Sequence, residues 1–163
     1  MRLVTTKEIR NRLIQQLRRA SSMELAAVTA LDPLVEGASD GSLTSLVSTH
    51  RRNSRRHRER VLARLKALGE VAPGGASAGA GILAAARGIA RSRRGATEEE
   101  RLRQAVLMKQ LEVATYDTVE RLAERAGDDA TAEMAREARA DDEELARRLA
   151  RRRLRLQRRR RAR

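Results

Sequence analysis

Four stretches of this chain repeat apolar or small residues at intervals of three and four, and the connections between them are short, long and short. Thr5-Thr6-Lys7-Glu8 has the form of a capping box, with Thr5 as N-cap and Glu8 reaching back to it. From there Ile9, Leu13, Leu17, Ala20, Ala27, Leu31 and Leu34 mark one face of a first helix, predicted to run to about Glu36. Pro33 predicts a kink or an early stop near its last turns. After the loop EGASDGS, Asp40 or Ser42 is the expected cap of a second helix, ending near Leu68 before Gly69. A second capping box, Thr97-Glu98-Glu99-Glu100, opens a third helix over about 98–126, closed by Gly127. The tight connection GDD leads into a fourth, from about residue 130 past Leu149.

The long connection decides the topology. A 26-residue helix is about 39 Å long, and the 28 residues from Gly69 to Ala96 can travel that whole height. Short loop, long crossover and short loop define an all-α, ferritin-like, up-down-down-up four-helix bundle. Gly81–Arg94 reads as a short helix lying across the bundle, the favoured alternative to a basic helix on a membrane surface. The expected division is a bundle over 1–146, with the crossover at 69–97, and an arginine-rich C-terminal tail over 147–163.

Composition narrows the chemistry. With no Trp, Phe or Cys and a single Tyr, the core must be built from Leu, Ile, Val, Met and Ala, and disulfides and thiolate sites are excluded. The N-terminus has no apolar h-region, and the longest uncharged run, Val71 to Ala86, is broken by glycines and a proline. The cytoplasm is the default expectation. Of the net charge of +14, eleven arginines in residues 147–163 supply all but +3.

Each predicted helix carries polar residues on its buried stripe. The first has Glu24 between Ala20 and Ala27. The second reads Leu43, Leu46, His50, Asn53, His57, Val61, Leu65, Leu68. The third reads Leu102, Ala105, Lys109, Glu112, Tyr116, Val119, Ala123. The fourth reads Met134, Ala138, Asp141, Leu145, Leu149, with Glu137 beside it. Counted from the two short loops, Glu24, Asn53, Glu112 and Asp141 all fall about 20 Å along their helices, half-way up the bundle. Buried carboxylates cost several kcal/mol each unless paired or bound to metal, so this layer needs a cation.

Two solutions stand side by side. Glu24, His57, Glu112 and Asp141, with Glu137 nearby, suit one weakly held divalent iron or manganese ion better than two. A paired site would need Glu-x-x-His on two helices. The residues three before His50 and His57 are Val47 and Ser54. The other solution is Lys109, one turn from Glu112, whose ammonium can stand where a metal otherwise would. Tyr116 can donate its hydroxyl to the same cluster or serve only as core. For the two histidines, a partly exposed place on the helix without a ligand role is the favoured reading, and His50 has the weaker case.

The segments LDPLVEGASDGSLTSLVSTHRRNSRRHRERVLARLKALG, KQLEVATYDTVERLAERAGDD and EARADDEELARRLA resemble the YciF-type ferritin-like stress proteins of bacteria over residues 10–150. The resemblance implies ligand positions at Glu24 and Glu112, and at Glu137 or Asp141 on the last helix. It also places Asn53 where that family has a carboxylate, and Lys109-Gln110 where it has a Glu-His pair. An amide is a poor ligand and a lysine a replacement cation, so these departures count against di-iron chemistry.

The remaining feature is the arginines. Arg151, Arg152, Arg153, Arg155, Arg158, Arg159, Arg160, Arg161 and Arg163 form a candidate nucleic-acid-binding arm, against the plainer reading of a solvated tail. Without aromatic platforms, binding would be driven by phosphates and blind to sequence. Leu145, Leu149 and Leu156 share one helical face, which keeps an anionic membrane surface or an acidic protein open as partners. Taken together, the sequence predicts a cytoplasmic, homodimeric, stress-associated bundle with a degraded carboxylate site, no catalytic residues, and no cofactor beyond one weakly bound metal. The alternative is a metal-dependent oxidase or ferroxidase.

Overall fold

The computed structural model describes residues 5–35, 41–71 and 96–162. Among these, α1 spans Thr6–Ala30, α2 Gly41–Ala67, α3 Glu98–Ala126 and α4 Asp129–Arg161, with a 3-10 turn at Asp32–Leu34. Local chemistry sets the ends. The Thr5 and Thr97 hydroxyls accept from the backbone N–H of Glu8 and Glu100, and each Glu accepts in return from its threonine's backbone N–H. Gly127 closes α3 in the left-handed conformation, φ 69°, which a side chain would strain. Asp128 caps α4 by accepting from Thr131 N–H.

Two helix ends differ from expectation. α1 stops at Ala30 rather than near Glu36, because Pro33 falls in the 3-10 turn and cannot continue an α-helical ladder. α2 begins at Gly41, which places Ser42 inside its first turn. Asp40 and the expected short helix at Gly81–Arg94 lie outside the described residues.

Cross-helix contacts give the directions. Ala27 meets His50, and Glu24 meets His57, so α1 and α2 are antiparallel. Arg64 meets Asp128, Arg60 meets Glu137 and Arg56 meets Asp141, so α2 and α4 are antiparallel. Arg152 meets Glu98 and Arg136 meets Glu120, so α3 and α4 are antiparallel too. It follows that α2 and α3 run parallel, as an up-down-down-up order requires.

The apolar core comes in two halves. Leu13, Leu17, Val61, Leu65, Val119 and Ala135 are among the residues filling one. Leu31, Leu34, Leu43, Val47, Leu102 and Leu149 are among those filling the other. Between them the four helices turn polar side chains inward.

The expected boundary between bundle and tail at 146/147 meets no break, since α4 is continuous to Arg161. Leu149 is fully buried, and Leu156 packs against the same half of the core. Arg152 Nη2 donates to Glu98 Oε1 at 2.9 Å, and Gln157 donates to Glu99 Oε1 at 2.5 Å. The bundle therefore uses the helix at least to residue 157. A chain ended after Ala146 should lose about 2–5 kcal/mol for Leu149 alone, whereas one ended after Gln157 should unfold within about 0.5 kcal/mol of the full chain. Urea unfolding of the two truncations checks this, and equal stability of both would show that the last turns contribute nothing.

Candidate metal centre

The polar layer is built from all four helices. Glu24 comes from α1, His50, Ser54 and His57 from α2, Lys109, Glu112 and Tyr116 from α3, and Asp142 from α4, all of them buried. On α1 and α3 every one of these positions continues a seven-residue apolar repeat, which is how a long antiparallel bundle keeps one stripe facing inward.

One half of the layer is organised by a histidine. His57 donates from Nδ1 to Glu24 Oε1 at 3.2 Å and from Nε2 to Asp141 Oδ2 at 2.9 Å. Both ring nitrogens face carboxylate acceptors, which defines an imidazolium. Burial by itself disfavours that charge, but the bond to Glu24, the bond to Asp141 and the nearby Asp142 outweigh it and raise the His57 pKa. Tyr116 donates its hydroxyl to the same Glu24 Oε1 at 2.8 Å and sets its ring edge-on to His57, centroids 5.9 Å apart. Burial first, and the Glu24 charge second, hold the phenol in its neutral form.

The other half is organised by a lysine. Lys109 Nζ donates to Glu112, to Asp142 Oδ1 at 2.9 Å and to His50 Nδ1 at 3.3 Å. Burial works against the ammonium, and Glu112, Asp142 and Glu24 more than offset this, so its pKa rises. His50 is a different histidine from His57. Its Nε2–H donates to the Ala27 carbonyl at 3.0 Å and its Nδ1 accepts from Lys109, so it is neutral. Burial and then the Lys109 charge push its pKa down to about 3.

Three buried carboxylates, Glu24, Glu112 and Asp142, thus face two buried cations, Lys109 and His57. A proton can meet the surplus. Burial raises Glu112 well above the usual carboxylate range against the pull of Lys109, with Asp142 and Glu24 adding to the rise, and burial raises Asp142 likewise.

A metal can meet the surplus instead. Glu24 Oε2 and Asp142 Oδ2 are buried and have no hydrogen-bond partner among the described residues. Glu24, His57 and Asp142 each offer one ligand atom, all within 4.8 Å of one another. Two carboxylates and an imidazole can hold one divalent metal ion, provided His57 gives up a proton. They do not fit two, because the Lys109 ammonium already bridges Glu112 and Asp142.

The sequence-predicted residues are placed as follows. Glu24, His57, Lys109 and Glu112 converge in the layer, with Tyr116 beside them. Asp141 lies at its rim, 34% exposed, shared between His57 and Arg56. Glu137 is 53% exposed and paired with Arg60, outside the layer. On α4 the buried carboxylate is Asp142, and on α2 the inward residue between the histidines is Ser54 rather than the half-buried Asn53. His50 is buried and bonded rather than partly exposed. A signal was present for both shifts: counting back seven from Leu149 and from Val61 gives Asp142 and Ser54.

Fold and layer together define a helical-bundle protein with a buried carboxylate–histidine centre in which a lysine occupies one cation position. Residues 8–156 match the family described as Domain of unknown function (DUF892), and the chain belongs to it. A solved structure of a protein from Xanthomonas campestris pv. campestris is similar in fold, with a TM-score of 0.74 at 18% identity, covering 91% of this chain and 92% of that one. No curated protein matches the chain.

His50 gives this layer a pH signature. The unfolded chain protonates this ring near pH 6.5, and the fold refuses the proton until about pH 3, so stability falls as pH drops through that window. Relative to His50→Gln, the native chain should lose about 2 kcal/mol between pH 7 and pH 5. Urea unfolding of both chains at the two pH values checks it. Losses of equal size would mean that His50 is not held neutral.

Proposed function

We propose that this protein is a ferritin-like bundle whose metal layer is neutralised mainly by its own side chains, leaving room for one divalent ion at most. The observation that carries this reading is the Lys109 ammonium, buried between Glu112 and Asp142. The Glu24–His57–Asp142 group, with two carboxylate oxygens that have no partner among the described residues, supports the single ion. Iron or manganese bound there would supply Lewis-acid or one-electron chemistry, which keeps a metal-dependent oxidase as the second reading. In it, Glu24, His57 and Asp142 would hold the ion, Tyr116 would present its proton to Glu24, and the two apolar halves of the core would keep water out. The stress-associated setting belongs to this proposal through the resemblance noted in the sequence, and the homodimer and the cytoplasm belong to it as expectations of the sequence reading. So does polyanion binding by the arginines at the end of α4. Among the described residues no helix is long and apolar enough to cross a membrane.

Lys109→Met tests the reading. It leaves Glu112 and Asp142 buried without their cation and should cost about 3–5 kcal/mol. Added Mn(II) or Fe(II) should then raise the melting temperature of the variant more than that of the native chain, because the ion binds only the folded layer. An unchanged melting temperature for Lys109→Met would remove the lysine from its role. One or more equivalents of iron per native chain purified without chelator would favour the oxidase.

A further inference from the structure

The α2–α4 seam changes character along its length. At one end acids and arginines pair off one to one, Arg64 with Asp128, Arg60 with Glu137 and Arg56 with Asp141. The last acid of the chain is Glu144, and beyond it α4 carries only arginines as charged residues. The first of these still find partners: Arg147, Arg148 and Arg151 lie against Glu144, Arg152 against Glu98 and Arg153 near Glu99. Arg155, Arg158, Arg159 and Arg161 are exposed and have no acidic partner among the described residues. Here the helix keeps like charges three and four residues apart, an arrangement that destabilises it. An anion between them would reverse the sign of that cost.

Two of these arginines converge with the acid-bound Arg152. Arg152, Arg155 and Arg159, with Leu156 and the Ser42 side of α2's first turn, line a cavity of about 260 Å³. Arg152 is held by Glu98, at 2.9 and 3.2 Å, so its guanidinium forms a fixed wall, while Arg155 and Arg159 stand one helical turn apart on the open side. Two planar, permanently charged forks on the open side, set against the fixed Arg152 wall, match an oxyanion with several acceptor oxygens.

We propose that this hollow seats a backbone phosphate of duplex nucleic acid, with Arg158 and Arg161 contacting flanking phosphates. The proposal rests on the polyanion reading and gives it a place and a partner. Duplex is favoured over single strand because the one aromatic ring, Tyr116, is fully buried, so no base can stack. Nucleic acid is favoured over a membrane because Leu145, Leu149 and Leu156 face the core. Among the described residues of α4, Leu154, 54% exposed, is the one large apolar side chain left to enter lipid. Arg151, Arg152 and Arg153 are already matched to acids, so about four to six arginines are left to displace counterions. Affinity for duplex should then fall by about two to three decades between 50 and 200 mM salt.

The test is a salt titration of the full chain on two unrelated fluorescent duplexes, one single strand and vesicles containing phosphatidylserine. Arg155→Gln/Arg159→Gln is compared with Arg19→Gln/Arg125→Gln, which removes the same charge at exposed positions elsewhere on the bundle. The expected result is equal affinity for both duplexes, with at least a tenfold loss and a salt slope shallower by about two for the first variant. The second variant should lose less than threefold. Equal losses for the two variants would overturn the seat while leaving a diffuse attraction to polyanions. No duplex binding by the native chain would overturn the polyanion reading itself. Tighter binding to the vesicles or to the single strand would overturn the choice of duplex.

Discussion

The structure depends on one buried ammonium. Lys109 is enclosed by Glu112 and Asp142, with Glu24 close enough to add to its charge stabilisation. Removing ions from water costs several kcal/mol each, repaid only where their partners are in contact and well oriented. That condition holds at a single relative height of the helices. Sliding α4 by a turn, about 5.4 Å, would take Asp142 away from Lys109 and leave the ammonium only Glu112 of its own helix. The polar layer therefore fixes the register of a bundle whose Ala- and Leu-rich halves would tolerate several.

The two histidines illustrate how position within such a layer sets charge. His50 and His57 are two turns apart on α2 and equally buried. His57 lies between carboxylates and is charged. His50 lies between a carbonyl and an ammonium and is neutral. Their opposite pKa directions follow from the partners and not from depth. A metal at Glu24, His57 and Asp142 would have to compete with the proton that makes His57 useful to the apo layer, so metal affinity here is inherently tied to pH.

Much of this was legible in the residues. At Glu24 and Glu112 the inward stripe is unambiguous, because each stands between two apolar residues, Met23 and Leu25 or Leu111 and Val113. On α2 and α4 the stripe passes through polar doublets, Asn53-Ser54 and Asp141-Asp142. There a step of three followed by four and a step of four followed by three are equally amphipathic. The packed repeat chooses the latter in both places. The bonding of His50 had no local signal at all, since it depends on the Ala27 carbonyl, freed near the end of α1 where Pro33 stops the helix early.

The same ambiguity of scale governs the arginines. As composition, residues 147–163 are a polycation that no core could hold. As a helix, they separate by face: Leu149 and Leu156 turn inward, Arg152 and Gln157 bind the glutamates at the start of α3, and the unmatched arginines turn outward. The arm is thereby ordered by the bundle that carries it. A disordered tail with the same charges would lose conformational entropy on every phosphate it engaged, on the order of 0.5–1.5 kcal/mol per immobilised side chain and more for its backbone. A helix already docked along α3 has met the backbone part of that cost in folding, so its few free arginines can act together at a seat of fixed geometry.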